Sequence, residues 1–268
     1  MVNSDLIHGP VTRRKSRVCA VSYLNTVPLV WGAVHGPQKG LVDLTFAVPS
    51  ICADRVVAGD ADVGLLPVIE MDRHGLDWIP GIGIACRGAV RSILLVSKKP
   101  FEEIRTLAAD SGSRTSVALA RIVLERRYGA RPLVTTMDPD LDRMLEWADA
   151  ALLIGDAALA LEPSEMELPC LDLGEEWAEL TGLPMVFAVW AGRPENITSE
   201  LGEILNGSCR YGLGQLDAII REESERRGFS EELVHQYLTR YVALQLGAEE
   251  EAGLRRYLEY ARELDKRP

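Results

Sequence analysis

The sequence predicts an α/β protein of two lobes, with a ligand cleft between them and a helical C-terminal tail. Short apolar, β-rich runs alternate with helical patterns along most of the chain, an arrangement that builds largely parallel sheets whose ligands sit beyond the carboxyl ends of the strands. Two stretches, "FAVPSICADRVVAGDADVGLLPVIE" and "TTMDPDLDRMLEWADAALLIGDAAL", repeat one unit of strand, short helix, acidic turn and buried strand. At 268 residues, 47% of them hydrophobic, the chain also exceeds the usual single-core domain of roughly 100–150 residues.

The first strand reads "RVCAVSY" and stops on Ser22, Tyr23, Asn25 and Thr26, just before Pro28 starts the next helix. Either Asn25 or Thr26 caps that helix and the rest is incidental, or the cluster lines the cleft. "LVDLTFAV" is the second strand. Pro49 and Ser50 then open a short helix that Gly59 ends, and "DVGLLPV" is the buried strand before Glu70. "GIGIACRG" is no dinucleotide fingerprint, because no GxGxxG opens a helix there. Arg87 and Arg91 read as surface residues, and Ser92, just before the strand "RSILLVS", is the better ligand candidate.

The stretch "ADSGSRTS" opens a helix carrying Val117, Leu119, Ile122, Val123 and Leu124 and ending at Arg126, Arg127 and Gly129. Free N–H groups at its positive end, the hydroxyls of Ser111, Ser113, Thr115 and Ser116, and the Arg114 guanidinium predict a site for a carboxylate or phosphate. Gly112 lets the backbone come close. In the second repeat, Asp138 is expected to cap a helix with Pro139 at its first position and Leu141, Met144 and Leu145 as its apolar stripe. The strand "AALLIG" follows, and Asp156 then occupies the point equivalent to Glu70, as a base, an orienting acceptor or a helix cap.

"MVFAVWAG" is the last strand. Beyond it the composition turns to long amphipathic helices, one from a Ser230 cap to Gly247 and one striped by Leu254, Tyr257, Leu258, Ala261 and Leu264. Burying that stripe most economically returns the tail to the first lobe. The chain then crosses between lobes near Ser97–Pro100 and Trp190–Pro194. Residues 17–98 with 191–268 make lobe one, residues 99–190 are the inserted lobe two, and residues 1–16 are a loose leader.

A formal charge of −11 without a Lys/Arg stripe argues against a nucleic-acid partner. Cys19, Cys52, Cys86, Cys170 and Cys209 are odd in number and widely spaced, so they read as reduced thiols. His8, His35, His74 and His235 share no ligand spacing, and no metal is expected. Arg13, Arg14, Lys15 and Arg17 precede an apolar run that Asn25 and Pro28 interrupt too early for a signal peptide. No later run approaches the ~20 apolar residues of a membrane span. The expectation is a cytoplasmic monomer or homodimer acting on a small molecule, with no membrane partner. No GxSxG elbow, P-loop, HExxH or evident nucleophile–base pair is present.

Taken together, "VSYLNTVPLVWG", "VPSICADRVVAGDADVGLLPVIE", "GIGIACRGAVRSILLVS", "DSGSRTSVALARIVL", "ALLIGDAAL" and "LDLGEEWAELTGLPMVFAVWAGRP" resemble the chorismate dehydratases of the futalosine route to menaquinone. The likeness runs in order over residues 17–194. It implies a type II periplasmic-binding-protein fold, a cofactor-free hydro-lyase and chorismate as substrate. The family's SYLN motif falls on Ser22–Asn25, its pre-strand serine on Ser92, its SSRTS stretch on Gly112–Ser116 and its IGD acid on Asp156. The likeness thus implies Asn25, Ser92 and Asp156 as catalytic residues, with Ser22, Tyr23, Thr26, Ser111, Gly112, Ser113, Arg114 and Thr115 binding substrate. Gly112 stands where a serine is usual, Cys86 replaces a small hydroxylic residue, and Ala89 and Ala157 replace prolines. The proton acceptor is left between Asp156 and the substrate's own enolpyruvyl carboxylate. A non-catalytic carboxylate receptor of the same fold, and the sister 1,4-dihydroxy-6-naphthoate synthase, are the alternative readings.

Overall fold

The computed structural model describes residues 14–266, so most of the expected leader lies outside the described residues. Its strands are β1 (Arg17–Val21), β2 (Asp43–Ala47), β3 (Val63–Pro67), β4 (Asp77–Cys86), β5 (Ile93–Ser97), β6 (Thr106–Asp110), β7 (Leu133–Met137), β8 (Ala150–Ile154), β9 (Cys170–Asp172), β10 (Met185–Gly192) and β11 (Ala243–Gln245). Its helices are α1 (Val27–His35), α2 (Pro49–Ala58), α3 (Val68–Arg73), α4 (Thr115–Tyr128), α5 (Leu141–Trp147), α6 (Gly155–Leu159), α7 (Leu173–Thr181), α8 (Ser199–Leu213), α9 (Leu216–Arg227), α10 (Glu231–Gln236) and α11 (Ala248–Asp265).

These strands form two sheets, ordered β11-β4-β10-β3-β1-β2 and β7-β6-β8-β5-β9. The repeated unit is visible in both. Around β1, strands β2 and β3 are parallel, as are β7 and β8 around β6. The strands entering after each crossing run antiparallel, β10 against β3 and β4, and β5 against β8 and β9, so the sheets are mixed rather than largely parallel. β3 and β8 are buried along their whole length, which explains why "VGLLP" and "AALLI" carry no polar alternation.

The sheet change does not fall where the sequence suggested. β5 pairs inside the second sheet and β10 inside the first, so the chain changes sheet within residues 87–92 and again within 173–184. Each expected crossing was displaced by one strand, because an apolar run does not state which sheet it joins.

Local signals held in most places. Pro49 opens α2, and Gly59 ends it in the left-handed region with φ 82°. Gly129 closes α4 likewise at φ 67°. The α5 cap is Asp140 rather than Asp138, its carboxylate accepting from Arg143 N. The expected single helix from Ser230 to Gly247 is broken. Ser230 caps α10, a π-helical turn follows at Tyr237–Tyr241, and the chain then adds β11 to the edge of β4. The tail also reaches both sheets. α11 packs beside β10 and α4, with Tyr257 donating to Thr115 O at 3.0 Å and Arg126 stacked 3.6 Å above the Tyr260 ring. One apolar core runs continuously through residues of both sheets, around Trp177, Trp190, Tyr237 and Tyr257. A smaller cluster around Leu94, Met144 and Leu153 lies apart from it.

Candidate functional site

At the carboxyl end of β1 the backbone leaves the sheet through a 3-10 turn at Leu24–Thr26, and this turn aims Tyr23, Asn25 and Thr26 at the second sheet. The facing wall is the start of α4, whose first residues follow directly from the end of β6. Between them lies a cavity enclosing about 540 Å³ of space, mouth included, lined by Tyr23, Asn25, Thr26, Ser92, Ser113, Arg114, Thr115 and Ser116 over a floor that includes Leu65, Ile84, Ile93, Ile154 and Phe187. The two polar clusters of the sequence therefore meet.

Their roles in the geometry differ. Ser92, Ser113, Thr115 and Ser116 are buried. Thr115 Oγ1 has no hydrogen-bond partner among the described residues, and it sits at the first position of a 14-residue helix, where backbone N–H groups also lack intrahelical acceptors. Leaving a buried hydroxyl unpartnered costs on the order of 1–3 kcal/mol, so the position is suited to a ligand. Arg114 also lines the cavity, but its guanidinium is held by Glu70 at 2.9 Å and Asp54 at 2.8 Å. Burial opposes its charge, and those two carboxylates outweigh the burial and raise its pKa. The expected free arginine for an anion is thus already neutralised here.

Ser92 is placed by its backbone. Asp172, the cap of α7, also accepts from Val90 N at 2.9 Å and Arg91 N at 2.6 Å. Arg91 takes φ 66°, and Ser92 O receives Gly155 N at 2.8 Å. A bulky residue at positive φ carries strain, and the Asp172 contacts hold it. Arg91 is therefore a structural clamp, its guanidinium bonded to Ala158 O, Leu161 O and Glu162. The Ser92 hydroxyl accepts from Tyr237 Oη at 2.8 Å, and Tyr237 Oη accepts from Asn25 Nδ2 at 3.1 Å.

Four predicted positions, Ser22, Ser111, Gly112 and Asp156, lie outside the cavity lining. Ser22 and Ser111 are exposed and face other grooves. Asp156 is absent from the lining and is engaged by the backbone and the tail. One carboxylate oxygen accepts from Leu24 N at 3.0 Å, and the other is paired with Arg227, which also donates to Ser22 O at 3.2 Å. Asp156 is thereby a link between the end of β8, the turn after β1 and the tail. Glu70 is likewise spoken for, by Arg114, Arg73 and His74. Among the described residues the lining contains no carboxylate, imidazole, thiol or amine.

Gly112 and Gly155 make the closure possible. A Cβ at Gly155, which has φ 60°, would stand 2.7 Å from the Tyr23 ring, and one at Gly112 would stand 2.9 Å from Tyr23 Oη. Asp110 was not singled out by the sequence. It is buried below this contact, where desolvation raises its carboxyl pKa although Gly112 N and Ile154 N donate to it. Tyr237, Asp172 and Arg227 were also missed. Asp172 carries a readable cap signal before "LGEEW", whereas Tyr237 looks like one more apolar position of a tail helix, 145 residues from Ser92.

Among the described residues no group of three or more His, Cys, Asp and Glu side chains is arranged for a metal ion, and no helix is long and apolar enough to cross a membrane. Residues 16–263 match the model of a family described as menaquinone biosynthesis. The chain is similar to the chorismate dehydratase of Thermus thermophilus, with 32% identity over 210 residues spanning 72% of this chain and 77% of that protein. Among solved structures, an Archaeoglobus fulgidus protein superposes with TM-score 0.72 at 18% identity, covering 94% of this chain and 98% of that one. The Escherichia coli periplasmic aliphatic sulphonate binding protein gives 0.65 at 14% identity, covering 95% and 88%. A Candida albicans protein described as having the generic periplasmic binding protein fold gives 0.64 at 12% identity, covering 96% and 92%. At these identities the structural likeness speaks to fold, and the fold is periplasmic-binding-protein-like.

Proposed function

This chain belongs to the menaquinone-biosynthesis family, and on that premise we propose that it is a chorismate dehydratase, a lyase that converts chorismate to 3-[(1-carboxyvinyl)oxy]benzoate and water. The observation that carries the reading is the character of the cavity. Hydroxyls, an amide and a helix N-terminus converge over an apolar floor, and among the described residues no carboxylate, imidazole, thiol or amine lines it. Chorismate brings two carboxylates for those donors, an apolar ring face for the floor, and a base of its own.

The reaction asks little of the protein except placement and charge stabilisation. The proton lost sits on the ring carbon bearing the enolpyruvyl ether, γ to the ring carboxylate through a ring double bond. Its removal delivers the C–H electron pair into the ring as a dienolate, with negative charge gathering on the ring carboxylate. That carboxylate belongs at the start of α4, where N–H groups with Ser113 and Thr115 meet growing charge most effectively. The dienolate then expels the neighbouring hydroxyl as hydroxide, beside Asn25 and Ser92, and the ring becomes aromatic. The enolpyruvyl carboxylate takes the proton and passes it to the hydroxide, so that one water leaves and nothing is bonded to the protein. The engagement of both Asp156 oxygens favours this substrate-assisted route over Asp156 as the base.

Incubating the purified protein with chorismate and following products by chromatography and mass tests the reading. The dehydrated aromatic ether is expected. Tight binding without turnover would instead support a receptor, and turnover only of the cyclised futalosine intermediate would support the sister synthase.

A further inference from the structure

Tyr237 belongs to the C-terminal tail, on a π-helical turn that closes where Val242 N donates to Tyr237 O at 3.1 Å. Such turns recur at functional sites because they displace side chains from the helical pattern. Tyr237 is 1% exposed, and its hydroxyl bridges two side chains that line the cavity, Asn25 at 3.1 Å and Ser92 at 2.8 Å. A phenol carries one proton. Asn25 Nδ2 can only donate, so Ser92 Oγ is the acceptor left for that proton among the described residues, and the Ser92 proton must then find another acceptor. None is offered among the described residues, and Ser92 lines the cavity.

We infer that Tyr237 is a positioning residue of the dehydration, which turns the hydroxyl proton of Ser92 toward the departing hydroxide. The inference rests on the dehydratase reading. Three features support the polarity of the chain from Asn25 through Tyr237 to Ser92. The Ser92 backbone is already pinned by the Asp172-held turn and by Gly155 N, so the hydroxyl rotor is the freedom left for Tyr237 to remove. Burial pushes the Tyr237 hydroxyl up to about 12, so it stays protonated and keeps donating across the working pH range. Aligned hydrogen bonds in an interior polarise one another, which strengthens the last donor in the chain.

The test is steady-state dehydration of chorismate by the unaltered protein, Tyr237→Phe, Ser92→Ala and the double variant, each with a thermal melt. Tyr237→Phe is expected to lower kcat about 10- to 100-fold, less than the loss of a donor touching the charge itself, with KM unchanged within about threefold. In the Ser92→Ala background it should cost almost nothing more, because its effect passes through Ser92. A purely structural tyrosine would instead lower kcat equally in both backgrounds. Unchanged kcat, a loss confined to KM, or additive losses overturn the inference while leaving the dehydratase reading intact. No turnover by the unaltered protein overturns that reading, and the inference with it. Should Tyr237→Phe not fold, 3-fluorotyrosine at this position keeps the shape and is a stronger donor, so a kcat equal to that of the unaltered protein then overturns the proposal.

Discussion

Asp156→Asn separates two roles that the sequence left open. The substitution keeps an oxygen for Leu24 N, now 3.0 Å from the carboxylate, and removes the charge that faces Arg227. The Arg227 side chain is 11% exposed, but it retains Glu223 at 2.6 Å. The cost should therefore fall below the roughly 3–5 kcal/mol of orphaning a buried charge. About 1–2 kcal/mol is expected, as for one charge-assisted hydrogen bond, which lowers Tm by roughly 2–8 °C in a chain of this size. Because the carboxylate lies outside the cavity lining, kcat should fall by less than about tenfold, as the contact between the ends of β1 and β8 loosens. Removing a general base would instead cost about 10²–10⁴. Chromatographic progress curves with chorismate, run beside differential scanning fluorimetry, decide the matter. A loss beyond about a hundredfold with the melt intact would refute the placement of Asp156 as a link and restore it as the proton acceptor.

Asn25→Ala should lower kcat more than it weakens binding, and a change confined to KM would contradict a role at the departing hydroxide. Thr115→Val should not destabilise the fold and should stabilise it by up to about 1–3 kcal/mol, because the hydroxyl it removes has no partner among the described residues, yet lower kcat/KM; a large drop in the denaturant midpoint with unaltered kcat/KM would show that the hydroxyl serves the fold. Gly155→Ala places a methyl 2.7 Å from the Tyr23 ring at φ 60°, so a destabilisation of about 2–4 kcal/mol or an opened cleft is expected, read by urea titration and small-angle scattering. Burial alone would raise the Asp62 carboxyl, but Arg17 and Arg14 more than offset it and hold it at about 2. Its contribution is therefore complete above the unfolded value of about 4 and is lost as pH falls from there toward 2, a loss of about 1–2 kcal/mol once screening of the exposed arginines is allowed for. Asp62→Asn should flatten that acid limb of the stability curve, and identical limbs would remove Asp62 from the account.

Much of this molecule was legible because the signals are local. Pro49, Gly59, Gly129 and Ser230 mark element ends through backbone geometry and capping that depend on few neighbours. The apolar runs of β3 and β8 announce burial on both faces. The polar ends of β1 and the start of α4 stood out because a strand or helix has no local use for so many hydroxyls and amides at its terminus. The fold class and two of the three walls of the cavity followed from such signals, and Ser92, the third, stood out by its place just before a buried strand, with the motif likeness falling on it as well.

What tertiary structure alone decided is everything set by partners distant in the chain. Arg114 reads as an anion ligand until Glu70 and Asp54 are seen to hold it. Asp156 reads as a base, an orienting acceptor or a helix cap alike until Leu24 N and Arg227 are seen to take both of its oxygens. Tyr237 reads as a packing residue until its hydroxyl is found between Asn25 and Ser92. The sequence by itself determined which segments end in polar groups and which are buried, because period, capping and burial are properties of a few consecutive residues. It could not determine which donor meets which acceptor. A side chain's charge and hydrogen bonds are spent on whatever the fold brings within about 3 Å, and that neighbour is chosen by the packing of the two sheets and the tail.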